Sequence, residues 1–231
     1  MPKDTFNNLP EDKRNLIIQI ALEEFSENAY QSASISKIVR KAEIAKGSFY
    51  QYFEDKQSFY RYLVKFATEE KLNIVEKLPA PDPTSGIFEY IRWQFLAQVL
   101  FELERPDLAK ILYRAFIEDI PFPEITEELQ RRGPTQFFKQ LITQGIMHSK
   151  VAPWVDPDVA GFLTEAIFYQ FGKYYIERLK LTKEDVINGT LFDREDAQAL
   201  LSNLMDILEA GMKRNPQQRE NFLNQTYSLQ S

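Results

Sequence analysis

The 231-residue chain has no cysteine and a single histidine, His148, and each shortage excludes a class of chemistry. Without thiols there is no disulfide, thiolate zinc site, iron–sulfur cluster or cysteine nucleophile. One imidazole cannot build a multi-histidine metal site within one chain. Long apolar runs are also lacking. The most apolar stretch, Ile87 to Phe101, is broken by Glu89, Arg92, Gln94 and Gln98 and is shorter than the roughly 20 residues of a membrane helix. The opening MPKDTFNNLPEDKR has no apolar core of the secretory type. A soluble, cytoplasmic protein with no membrane partner is expected. Neither a phosphate loop nor a dinucleotide fingerprint occurs, and no carboxylate spacing demands a catalytic pair. No enzyme activity and no cofactor are therefore expected. Positive charge is not in excess: 28 Lys+Arg face 34 Asp+Glu, a net charge of −6. That balance argues against a generic polyanion binder but leaves room for a local basic face.

Alternating runs bounded by hairpin turns are missing as well, and the periodic segments are helical, so the fold class is all-α. Leu16, Ile17, Ile20, Ala21 and Phe25 recur at helical spacing after Pro10-Glu11-Asp12, a suitable helix start. Short helices are predicted near 34–41 and 45–52, and a long linking helix over about 55–78. Pro79, Pro81 and Pro83 interrupt the pattern. Further helices are predicted near 84–104, 106–118, 123–131, 134–149, 157–180 and 194–213. A DNA-binding domain over 1–56, a regulatory and dimerisation domain over 57–215 and a polar tail over 216–231 follow as expectations.

The segment from Ser34 to Lys56 carries the function. Ser34 suits an N-cap, and Ile35, Ile38 and Val39 give a short helix one apolar face. Ala42-Glu43-Ile44 makes a tight turn into a second short helix, where Phe49 and Phe53 share the face that docks on the first. The opposite face offers Lys46, Ser48, Gln51 and Tyr52, and Gly47 leaves room for close approach. Two short helices joined by such a turn form a helix-turn-helix, whose second helix fits the major groove of double-stranded DNA.

Ile-x-x-x-Ala-x-Ile-x-Lys-Gly-Ser-x-Tyr-x-x-Phe-x-x-Lys, running from Ile38 to Lys56, closely resembles the signature of the tetracycline-repressor (TetR) family. The resemblance covers roughly residues 10 to 60 in motif and the remainder only in length and helicity. It implies that Ala45, Lys46, Gly47, Ser48, Tyr50, Gln51 and Tyr52 lie on the DNA-reading helix. It further implies that Tyr50 and Lys56 hold phosphates, with Ser34 adding a contact, while Lys46 and Ser48 meet base edges. Two positions depart from the family pattern: Glu43 replaces a frequent left-handed Gly, and Tyr52 a frequent His. Residues 1–56 hold 8 Lys+Arg and 9 Asp+Glu, so a few placed contacts rather than bulk charge are expected to bind the operator.

Two apolar stripes mark the C-terminal part. Phe162, Leu163 and Ala166 belong to one, and Leu200, Leu201, Leu204 and Leu208 to the other. Two such helices from each of two chains can close a four-helix bundle across a twofold axis, and the family resemblance points to the same homodimer. An intramolecular core is the alternative. Trp93, Gln94, Gln98, Tyr113, Phe116, Phe137 and Phe168 are candidates to line a site for a small hydrophobic or aromatic ligand, against the alternative of a solid aromatic core. A ligand-responsive repressor reading a pseudo-palindromic operator is the expected function. The competing reading is an all-helical interaction module or enzyme that merely contains a helix-turn-helix.

Overall fold

The computed structural model describes residues 2–82, 84–117, 122, 134–191 and 193–213. Described in chain order are α1 (Asp4–Asn7), α2 (Glu11–Glu27), α3 (Ile35–Lys41), α4 (Lys46–Tyr52), α5 (Lys56–Val75), α6 (Ile87–Glu104), α7 (Pro106–Ile117), α8 (Pro134–Met147), α9 (Pro157–Leu179), α10 (Lys183–Ile187) and α11 (Glu195–Met212). The fold is all-α. The expected helix near 123–131 and the polar tail lie outside the described residues. The short helices α1 and α10 escaped the periodicity because neither completes two turns.

The chain divides into two compact units, one from the described residues of Met1–Pro79 and Ala97–Arg131, the other from those of Ala80–Leu96 and Arg132–Ser231. In the first, α2 packs on α3 and α7, α5 on α7, and α1 on α4. Its centre is aromatic: Phe25, Phe49, Phe53 and Phe59 are fully buried, and the Phe53 and Phe59 rings stand 4.4 Å apart. Helix α5 opens on a capping box, in which the Asp55 carboxylate accepts from Ser58 N at 2.7 Å and the Ser58 hydroxyl accepts from Asp55 N. A cap of this kind contributes about 1 kcal/mol and fixes where the long helix begins.

In the second unit α8 lies along α9. Gly161 permits the approach, because a Cβ there would stand 3.1 Å from Lys139 N and 3.2 Å from Thr135 O. The Phe168 ring stacks edge-on between Phe95 and Phe138, each at 5.4 Å. Helix α9 starts at Pro157 under the Asp156 carboxylate, which accepts from Asp158 N and Val159 N. The Tyr175 hydroxyl donates to Ala197 O at 2.9 Å and ties α9 to α11; burial pushes that phenol up to about 12.

Candidate nucleic-acid interface

Helix α3 is positioned from its N-terminus. The Ser34 hydroxyl accepts from Lys37 N, and Ser34 N donates to a Glu24 carboxylate oxygen at 2.9 Å. Glu24 is buried and stands 3.6 Å from the Lys37 ammonium, so it locks α3 to α2. Its place beside Glu23 in the sequence gave no sign of this, because the partners lie ten and thirteen residues on. At the other end Glu43 sits at φ +52°, the left-handed conformation that the family pattern gives to glycine. Glu43 N donates to Arg40 O and Ile44 N to Val39 O, a Schellman closure that stops α3 and turns the chain into α4.

Along α4, Phe49 is buried while Ala45, Lys46, Gly47, Tyr50 and Gln51 are exposed and Ser48 is half-buried. Nothing lies within 4 Å of where a Gly47 Cβ would be, so this stretch of helix can approach a flat partner closely. Tyr50 keeps 47 % of its surface exposed. Tyr52 is a correction. It is only 8 % exposed and its ring packs 5.9 Å from Phe6. Three residues after Phe49 it shares the inward face of the helix, so the expected groove contact is withdrawn. Lys56 begins α5; its ammonium donates to Gln31 O at 3.2 Å and sits 4.6 Å over the Tyr30 ring. Burial there lowers its pKa, with Glu24 opposing.

Helix α1 is too short to leave a periodic signal in the sequence. Phe6 is fully buried, with its ring 4.8 Å from Phe53 and 5.6 Å from Tyr62. A lone aromatic in a polar opening segment was the only available signal.

The ligand candidates divide between the units. Trp93, Gln94 and Phe137 are half-buried in the second unit, and Tyr113 and Phe116 half-buried in the first. Two are corrected. Gln98 is 4 % exposed in the first unit and is taken up by its neighbours, accepting from the Lys71 ammonium at 2.7 Å and donating to Glu102 at 2.7 Å. Phe168 is the centre of the aromatic stack in the second unit.

On α9, Phe162 (61 % exposed), Leu163 and Ala166 face outward. An open apolar hollow of about 440 Å³ there is lined by Leu163, Ala166, Ile167, Gln170, Phe171 and Tyr174. On α11 the stripe splits. Ala197, Leu201, Met205, Leu208 and Met212 are buried within the chain, so Leu201 and Leu208 are corrected to its own core. Leu200 and Leu204 are half-buried, and Ile207 keeps 68 % of its surface. A shift of one residue rotates a side chain by about 100°, which separates the two seams.

The chain is similar to known proteins along most of its length. Residues 17–63 match the family described as bacterial regulatory proteins, tetR family, and residues 85–213 match the tetracyclin repressor-like C-terminal domain. A TetR family transcriptional regulator from Chloroflexus aurantiacus is 38% identical and superposes with a TM-score of 0.80, covering 93% of this chain and 100% of that one. The HTH-type transcriptional regulator YuxN of Bacillus subtilis is 32% identical over 74 residues, 30% of this chain and 25% of YuxN, so the match spans about a quarter of that relative. FadR of Bacillus subtilis, solved with stearoyl-CoA, shares the fold at 18% identity and a TM-score of 0.56, over 85% of this chain and 98% of FadR. Among the described residues no helix is long and apolar enough to cross a membrane.

Proposed function

The chain belongs to the tetracycline-repressor (TetR) family of bacterial transcriptional regulators, sequence-specific DNA-binding proteins rather than enzymes, and on that premise we propose that two copies grip a pseudo-palindromic operator through α4 and repress until a small apolar ligand releases them. The observation that carries this reading is the split of α4: Phe49 is buried while Lys46, Gly47, Tyr50 and Gln51 stand in solvent. Lys46 and Ser48 meet base edges. The Tyr50 hydroxyl and the Lys56 ammonium, which has donors left beyond Gln31, hold phosphates, and Ser34 adds a contact at the start of α3. Residues 1–56 read DNA and 57–215 dimerise and respond.

The outward faces of α9 and α11, with Phe162, Leu163, Ala166, Leu200 and Leu204, meet their copies across a twofold. The paired α4 helices then stand about one DNA turn apart, roughly 34–36 Å. A ligand response is supported by Trp93. Among the described residues its indole N–H is buried and has no acceptor, a cost of about 1–3 kcal/mol that a ligand oxygen would relieve. FadR, of the same fold, takes stearoyl-CoA, a molecule with one long apolar chain.

Selection of duplexes from a random pool tests the core of this. A pseudo-palindrome with half-sites one turn apart is expected, with binding that weakens with salt on a slope shallower than about −10 per dimer. A pool that shows no enrichment refutes operator reading. For the ligand, saturated acyl compounds should raise the melting temperature and release the operator, and a Trp93→Phe protein should respond less. Unchanged melting and affinity across the series would remove the ligand from the reading.

A further inference from the structure

A helix of seven residues cannot hold itself: nucleation is unfavourable, and its last four carbonyls have no partner within the helix. In α4 every one of those four is nevertheless satisfied. Phe49 O accepts from Phe53 N at 2.9 Å. The other three are taken by the opening segment of the chain. The Lys3 ammonium donates to Tyr50 O at 2.8 Å, the Thr5 hydroxyl to Gln51 O, and Lys3 N to Tyr52 O at 2.8 Å. The Lys3 charge also stands at the negative end of the helix dipole. Phe6 plants the segment against Tyr52, Phe53 and Tyr62, and Arg14 of α2 donates to Asn7 O at 3.0 Å. The clamp therefore bears on the three residues that end α4, and Tyr50 and Gln51 are on its outward side.

We propose that Lys3 and Thr5 are positioning residues for operator recognition, setting the roll and pitch of α4 so that its base-reading side chains and Tyr50 reach DNA together. This rests on the operator reading above and goes beyond it by assigning specificity to residues that need not touch DNA. Phosphate contacts tolerate a small rotation of the helix, whereas hydrogen bonds to base edges are directional. Loosening the clamp therefore costs operator binding more than binding to random duplex.

Thr5 and Lys3 are exposed, so their substitution leaves the buried Phe6 anchor in place. Thr5→Val removes the hydroxyl at equal size, and Thr5→Ser returns it. The affinity of full-length protein for a selected operator and for random duplex is measured at one salt concentration and along a salt series. One lost hydrogen bond predicts that Thr5→Val lowers the operator-to-random ratio by about 3- to 10-fold. The salt slope should be unchanged, amide exchange across residues 49–53 faster, and Thr5→Ser restored to wild type. Lys3→Ala should act in the same direction, with Lys3→Arg restoring it. The proposal is overturned if Thr5→Val leaves the ratio within twofold. It is also overturned if Lys3→Ala weakens both duplexes equally and flattens the slope by about 0.9, the mark of a direct phosphate contact. Should wild-type protein select no duplex, the operator reading has failed. The clamp then stands or falls on the exchange rates alone, faster in Thr5→Val if it exists and unchanged if it does not.

Discussion

The two compact units leave opposite kinds of surface uncovered. On α4 the outward residues are polar or lack a side chain, and the carbonyls that end the helix are all bonded. On α9 and α11 the outward residues include Phe162, Leu163 and Ile207, apolar side chains that a single chain leaves in water. A polar face waits in solvent at little cost until a polyanion replaces the water. An apolar face of this extent favours a matching surface, and a second copy of the same chain supplies one. Both interiors have an aromatic centre, but the first unit also holds a part-buried polar chain, Lys71–Gln98–Glu102, around the buried Gln98.

The comparison breaks most readily at the apolar face. Phe162→Glu places a charge on the exposed apolar face proposed to pair across the twofold, while leaving the chain's own core alone. The protein should become monomeric in sedimentation, and operator affinity should fall by about 10²- to 10⁴-fold as paired binding is lost. A variant still dimeric and tightly bound would move the interface elsewhere. Next comes the polar face. Lys46→Ala should cost about 1–3 kcal/mol on the operator and alter base preference, whereas Tyr50→Phe should weaken every duplex alike. Equal losses for Lys46→Ala on operator and random duplex would remove it from base reading.

These two faces were not equally legible. The α3–turn–α4 segment is encoded locally: the Ser34 cap, the Phe49–Phe53 spacing and the turn at Glu43 all lie within twenty residues, so the sequence reads as the structure folds. Tyr52 was misplaced because its partner, Phe6, is forty-six residues away in a helix too short for any periodicity. On α11 a broad apolar stripe announced burial without saying against what. Leu201 and Leu208 meet their own chain, whereas Leu200 and Leu204 stay half-buried and Ile207 turns outward. Gln98 reads as a polar handle in an apolar helix, and its amide accepts from Lys71 and donates to Glu102.

The polar chain of the first unit makes its stability depend on alkaline pH. Burial lowers the Lys71 pKa from 10.5 to about 8, with Glu102 opposing. Between those values the unfolded chain binds the proton and the folded one does not. Stability therefore rises with pH across that window, by at most about 1.4 kcal/mol per pH unit, and the cost of the buried charge is fully present below pH 8. Denaturant unfolding at pH 7 to 10 should show this rise in wild type relative to Lys71→Met. Parallel curves would mean that the ammonium is solvated in the folded protein.

The smallest effect separates strain from charge. Glu43 in the first unit and Lys180 in the second both end helices in the left-handed conformation, at φ +52° and +51°. A side chain there costs on the order of 1 kcal/mol that glycine avoids, less what glycine adds to the freedom of the unfolded chain. Glu43→Gly and Lys180→Gly should thus each raise the melting temperature by no more than about 2–4 °C. Only Glu43→Gly also removes a negative charge from the DNA-reading unit, so it alone should tighten operator binding, and most clearly at low salt where that charge is least screened. If both variants tighten binding equally, helix-end strain rather than the Glu43 carboxylate governs the effect, and the electrostatic contrast between the two units does not extend to the turn.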